Sequence, residues 1–391
     1  MRVPMVMEDN MCEIRRMVML IVFFASAVLL PGAAGHPPAQ PFPARIDPRV
    51  NSLARPLVGA ATPGLGLVVV FHGQVIHAAA YGVRDIASQA PLTASTPFYI
   101  ASLAKMFTAL GVLDLVEKGH ASLDTRASVL LADMPAYARK VTIRQMLNHT
   151  SGLIDHYDAG GEDRLYTRED VMQVLQEAGA LRYEPGTKSS YSNSAYVLLA
   201  RIIEKLTGES YAEFVRRRFF ARADMINARV VNAPADLPPA RARGYTHQDG
   251  AFVLNDYQGG NAPGAGGVYA SLNDLYHWAL ALRDGKVVSS DVLKTASTPT
   301  ILSTGRDTEW GMGWLAESHG RKDKLSGRRY VAAVGSFRGF RALFKWYQED
   351  DLVIIELANS DDDTVFDTLE QLPRLILLPA LNEVPGKTGN P

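Results

Sequence analysis

Cysteine is almost missing from this chain of 391 residues, which has Cys12 and no other. Cys12 lies ahead of an apolar run from Met17 to Leu30, introduced by Arg15-Arg16 and followed by Pro31-Gly32-Ala33-Ala34-Gly35. A charged start, a short apolar centre and small residues form the pattern of a secretory signal peptide, here residues 1–35. The run falls short of the roughly 20 residues that span a bilayer, so a membrane is met only through an uncleaved leader. Cleavage near Gly35 leaves a mature chain without cysteine, which excludes structural disulfides and a thiol nucleophile but not export. An excess of one charge is lacking too. The 40 Lys+Arg and 41 Asp+Glu give a formal net charge of -1, and the basic residues are scattered, which argues against nucleic acid. His149, His156, His247, His277 and His319 are isolated, with no H-E-x-x-H among them, so no metal is expected. No G-x-S-x-G occurs, which disfavours an α/β-hydrolase. The cluster Gly259-Gly260…Gly266-Gly267 has no G-K-[ST] close behind it and reads as turns, so no cofactor is expected.

What is present describes an ordinary globular protein, 47% hydrophobic and 21% charged. After the leader, residues 36–60 read as a linker, 61–360 as the main domain, and 361–391 as a closing helix and polar tail. Valine-rich Gly64 to Val70, the turn signal His72-Gly73, and Gln74 to Tyr81 predict a β-hairpin. Helical patterns follow, among them Val141 to His149, a segment opened by Thr167, one from Tyr196 to Ile203, and one capped by Ser271. Strand patterns return at Trp310–Trp314, Tyr330–Gly335, Ala342–Tyr347 and Leu352–Leu357, then a helix over Thr364–Leu378 broken at Pro373. Strands at both ends with helices between predict an α/β chain of the α+β type, its first and last segments sharing one sheet.

The chemistry gathers around Phe98 to Leu110. Apolar Ala104, Phe107, Leu110, Leu113 and Val116 predict a helix with one buried face, stopped at Gly119. Ser102 and Lys105 then lie three apart on one face, about 5–6 Å between Cβ atoms, as a hydroxyl beside a basic amine requires. Bringing a lysine from about 10.4 to near 7 takes roughly 4–5 kcal/mol, so burial must join the helix dipole in favouring the neutral amine. A lone S-x-x-K also arises by chance, so its companions matter. Tyr191 and Asn193 stand two apart in a polar loop before a helix, where a phenol can share proton traffic and a carboxamide can hold a carbonyl or the lysine. Taken alone, Tyr191 reads more readily as a half-buried packing residue and Asn193 as a helix cap.

The order Ser102-x-x-Lys105, Tyr191-x-Asn193 and Gly335-Ser336-Phe337-Arg338-Gly339-Phe340 resembles the serine β-lactamase and penicillin-recognising family. The similarity is to the branch with class C β-lactamases, D-alanyl-D-alanine carboxypeptidases and related esterases. Leu147-Asn148-His149-Thr150-Ser151-Gly152-Leu153, Ala265 to Tyr269 and Trp310 to Trp314 are similar as well. The resemblance implies an antiparallel sheet built from both chain ends and flanked by helices, with a helical lobe inserted and the active site between the two. It also implies an acyl-enzyme formed on Ser102 from a small-molecule or peptide substrate. It implies Lys105 as base with Tyr191 assisting, and an oxyanion hole from the backbone N–H groups of Ser102 and Ser336, with Asn193 and Gly335 at the substrate.

One position departs from the pattern. The family's third motif begins with lysine or histidine, and here Ala333 stands there, in Ala333-Val334-Gly335. The literal Lys387-Thr388-Gly389 lies in the polar tail with no strand pattern around it. Acyl chemistry is expected to survive, with carboxylate-bearing substrates disfavoured. Arg338 and Arg341 are candidate replacement cations, or ordinary surface arginines. Ala333 also leaves open a different class of protein, a non-catalytic binding or regulatory module on the same fold.

Overall fold

The computed structural model describes residues 45–378, apart from 162–163, 261 and 317–322. Residues 1–35 with Cys12, His319, and the stretch with Lys387-Thr388-Gly389 lie outside the described residues. Two strands, Leu65–Phe71 (β1) and Gln74–Tyr81 (β2), meet at His72-Gly73. Both turn residues have positive φ, 48° and 70°, as a tight hairpin with the right-handed strand twist requires. The last third supplies Leu315–Ala316 (β3), Val331–Phe337 (β4), Phe340–Tyr347 (β5) and Leu352–Ala358 (β6). They form one six-stranded sheet in the order β3-β4-β5-β6-β1-β2, with every neighbour antiparallel. Chain start and chain end are joined at β1 and β6, Leu65 opposite Ala358, as the pattern of end strands predicts.

Strand alternation gives the sheet two packed faces. Leu65, Leu67, Val69, Leu352 and Ile354 point outward onto Val50 and Ala54 of the helix Pro48–Ala54 (α1). Leu369, Leu372 and Ile376 complete that outer layer from two short C-terminal helices. Val68, Val70, Phe344, Ile355 and Leu357 point inward. Their neighbours come from Lys105–Glu117 (α2) and Leu272–Arg283 (α4), and α2 packs in turn on Asn193–Thr207 (α3) of the helical lobe. Gly66 lets α4 approach β1: a Cβ there would lie 2.6 Å from Leu272 Cδ1.

Several local expectations need correction. Helix α2 is buried all round from Lys105 to Leu115 rather than on one face, because sheet, lobe and α4 surround it. Trp310–Trp314 is not a strand. Gly313, at φ 81°, turns the chain against α2, and a Cβ there would meet the Ala109 Cβ at 2.4 Å. The closing helix is two helices, Asp363–Leu369 (α5) and Leu372–Leu377 (α6). Pro373 sits in the first turn of α6, where a missing N–H costs nothing, and the break precedes it.

Candidate active site

Ser102 lies in a 3₁₀ turn, Ala101–Ala104, that runs directly into α2 at Lys105. No side chain caps this start. Ala101 takes the left-handed conformation, φ 46°, which costs a residue with a Cβ about 1–2 kcal/mol and is held only by its surroundings. Strand β4 helps to hold it. A Cβ on Gly335 would lie 2.1 Å from the Ile100 carbonyl oxygen and 3.1 Å from the Leu103 nitrogen, so only glycine lets β4 press on the serine turn. Strand β3 pairs with β4 only at Val331 and Ala332. Further along that edge, Ser336 and Phe337 line a cleft with Ala101 and Ser102.

Lys105 is 3% exposed and gives its ammonium three acceptors. They are Ser102 Oγ at 3.1 Å, Asn193 Oδ1 at 2.7 Å and the Ala265 carbonyl at 2.6 Å. The last comes from the glycine cluster, which is turn chemistry: Gly259, Gly260, Gly264 and Gly267 all have positive φ. Burial pulls the lysine down to about 7, opposed by the charge of Asp155. Lys105 Nζ also lies 4.7 Å from the Tyr191 ring centroid. Burial pushes the Tyr191 phenol up, opposed by a hydrogen bond with Ser102, so the phenol keeps its proton at neutral pH. Ser102, Lys105, Tyr191 and Asn193 are thus brought together, with Gly335 and Ser336 beside them.

Arg338 and Arg341 are not brought to this cleft. Arg338, at φ 50°, forms the tip of the β4–β5 hairpin, over the Phe337 ring. Arg341 Nε donates to Asp363 Oδ1 at 3.0 Å on the outer side, which strand alternation dictates. Ala333, 4% exposed, faces a void of about 40 Å³ shared with Ser102, Lys105, His149 and Tyr191.

Two residues escape the reading by motif. Asp155 Oδ2 accepts from Asn193 at its backbone nitrogen (2.5 Å) and its Nδ2 (3.0 Å), anchoring the start of α3. No spacing pattern announces it. His149 packs against Tyr191 with the rings tilted by 33° and their centroids 4.6 Å apart, and it accepts from the Ser192 N–H at Nδ1, 3.2 Å. Full burial, with Lys105 close by, pushes its imidazole well below the usual range, so it is neutral. His149 was visible in the Leu147–Leu153 stretch but carried no partner in sequence.

The cleft encloses about 390 Å³ between Tyr99, Tyr157, Phe337, Asp155, Asp158 and Arg182, among others. Arg182 is held by Asp158 at 2.7 Å.

Residues 50–377 match the family model described as Beta-lactamase. The chain belongs to the beta-lactamase family. Members of this family are serine hydrolases working through an acyl-enzyme, and the chain is one of them. It is 31% identical over 315 residues to Penicillin-binding protein 4* of Bacillus subtilis, covering 75% of this chain and 68% of that protein. It is 25% identical over 296 residues to the D-aminopeptidase of Brucella canis, covering 74% of this chain but only 55% of that protein. Among solved structures, the octameric penicillin-binding protein homologue from Pyrococcus abyssi superposes with a TM-score of 0.69 at 25% identity, over 81% of this chain and 73% of that one. The D-amino acid amidase of Ochrobactrum anthropi shares the fold at a TM-score of 0.69 and 23% identity, over 84% of this chain and 98% of that one.

Proposed function

We propose that the protein hydrolyses esters or amides whose acyl group is uncharged or carries an amine, with Ser102 as nucleophile and Lys105 as its base. Ser102 Oγ bonds to the substrate carbonyl carbon and passes its proton to neutral Lys105. The bond to the leaving group then breaks, and the leaving group takes that proton, relayed through Tyr191. Water releases the acyl group by the same exchange in reverse. Backbone N–H groups of Ser102 and Ser336 receive the oxyanion.

The observation that carries this reading is a lysine held near pH 7 and 3.1 Å from a serine hydroxyl. The preference rests on charge. The cleft has carboxylates at Asp155 and Asp158, its Arg182 is already engaged, and Ala333 supplies no cation. The Brucella relatives named D-aminopeptidase point the same way. Residues 1–35 support export as the setting.

Intact-mass spectrometry after separate exposure to a fluorophosphonate, a p-nitrophenyl ester and a penicillin tests the proposal. The expected result is a stoichiometric fluorophosphonate adduct on the unmodified chain and none on Ser102→Ala, with ester turnover well ahead of penicillin turnover. An unmodified chain that takes up no fluorophosphonate, or a Ser102→Ala chain that still does, would sink the assignment of Ser102 as nucleophile.

A further inference from the structure

A second cavity, of about 200 Å³, lies on the opposite face of the sheet. Its floor is Ala332 and Val334 of β4, Leu343 and Lys345 of β5, and Ile354 and Glu356 of β6. Phe366, Leu369 and Pro373 of the C-terminal helices form its roof, with Glu370 exposed at the rim. A cavity of roughly 150 Å³ suffices for benzene, so a small aromatic or alkyl body fits.

Glu356 is out of place here. The outward row of β6 reads Leu352, Ile354, Glu356, and an apolar residue would continue it. Glu356 is instead 2% exposed, and its Oε2 is buried without a hydrogen-bond partner among the described residues. A buried polar oxygen left unpaired is costly, and a ligand donor would recover that cost. The nearby cation is spoken for: Lys345 Nζ donates to Asp323 Oδ2 at 2.9 Å and lies 4.1 Å from the Tyr330 ring centroid.

We propose that this cavity binds a small organic cation, a primary ammonium on an aromatic or alkyl body, with the ammonium on Glu356 and the body against Val334, Leu343, Phe366 and Leu369. An anion would meet two carboxylates, Glu356 and Glu370. A purely apolar guest would leave Oε2 unpaired. Burial pushes the Glu356 carboxyl up to about 8, Lys345 opposes this and Glu370 adds to it. Among the described residues, the other ionisable groups around it are Tyr330 and the Asp323–Lys345 pair. At neutral pH the acid is therefore mostly protonated, and docking of the ammonium turns it into carboxylate, releasing its proton to solvent.

Titration calorimetry of the full chain with phenethylamine tests this, at pH 7 in two buffers of different ionisation enthalpy. The expected result is one-site binding with release of nearly one proton, tightening by up to about tenfold per pH unit until pH 8 and levelling above it. Glu356→Gln should bind at least about tenfold more weakly, since a charge-assisted bond is lost. Asp155→Asn should bind as the parent does, which separates this cavity from the acyl cleft. Hydrolysis by Glu356→Gln should be unchanged, showing that it folds. Equal binding by the parent and Glu356→Gln, binding without proton release, loss of binding in Asp155→Asn, or no binding at millimolar amine would each overturn the proposal.

Discussion

Asn193 Oδ1 accepts a 2.7 Å hydrogen bond from Lys105 Nζ, while the amide nitrogen of the same side chain donates to Asp155. A neutral group thereby stands between an ammonium and a carboxylate. Direct pairing of the two would favour the ammonium and remove the base. With the carboxamide interposed, desolvation remains the leading influence on Lys105, and Asp155 only moderates it.

The first prediction follows from that balance. Asp155 raises the proton affinity of Lys105, so Asp155→Asn lowers it further. The acidic limb of kcat/KM against pH, which reports the base losing its proton, should move to lower pH by up to about one unit. The plateau should fall as well, because a weaker base abstracts less effectively. An acidic limb that stays in place would show that another group governs it.

Ser102→Ala and Lys105→Ala should each remove nearly all hydrolysis, with losses that can reach about 10⁶ in kcat when residues act as a unit. The double variant should be little worse than either. Tyr191→Phe should be milder, since it removes only the hydroxyl that relays the proton. Single-turnover rates on a p-nitrophenyl ester decide this, and modest additive losses would make Lys105 a structural residue.

His149→Phe separates positioning from chemistry. Phenylalanine keeps a ring beneath Tyr191 but leaves the buried Ser192 N–H without its acceptor, a loss of about 1–3 kcal/mol. Urea unfolding should show that loss. The acidic limb should persist, because His149 is neutral and contributes no titration there. A vanished limb would place the imidazole in the proton path.

Much of this was legible in residue order. The β1–β6 union of chain ends followed from strand patterns on both flanks, and Ser102, Lys105, Tyr191 and Asn193 from short polar motifs at helix starts. Asp155 was not legible, because its role arises from lying beside α3 in space, 38 residues away in sequence. The buried perimeter of α2 was hidden for a similar reason. Periodicity reports one contrast between apolar and polar faces, and Lys105, Thr108 and Asp114 are polar residues that the fold nevertheless encloses. Arg341 misled because residue type carries no facing. Its register opposite Ser336 gives it the face that α5 covers.

Glu356 makes stability depend on pH. Its carboxyl is raised from 4.5 to about 8, so the native state holds a proton that the unfolded chain gives up between those values. The stabilisation is complete below about 4.5 and lost as pH rises through 8, by up to about 4–5 kcal/mol. Lys105 works the other way at higher pH, from about 7 toward 10.5, so the comparison must be with a variant. From pH 5 to 8.5 the parent should lose stability relative to Glu356→Gln. Parallel denaturation curves across that range would contradict the buried acid.

The last prediction concerns Ala333. Its Cβ borders the 40 Å³ void beside Ser102, Lys105 and Tyr191, space for more than one water at about 10–15 Å³ each. An imidazole at that position would add a donor where the Ala333 side chain supplies none. A hydrogen bond to a charged group is worth about 1.5–3 kcal/mol, or roughly 10- to 150-fold in kcat/KM. Ala333→His should therefore raise the ratio of carboxylate-bearing to neutral substrates by that order, measured with a cephalosporin against a p-nitrophenyl ester. The ring is larger than the void, so Trp310 and Leu315, which also border it, must give way, and some ester activity should be lost. The ratio, not either rate alone, is the readout. A parent enzyme that already prefers the cephalosporin, or a ratio that Ala333→His leaves unmoved, would show that the carboxylate is recognised elsewhere, and Arg182→Ala would then be the variant to make.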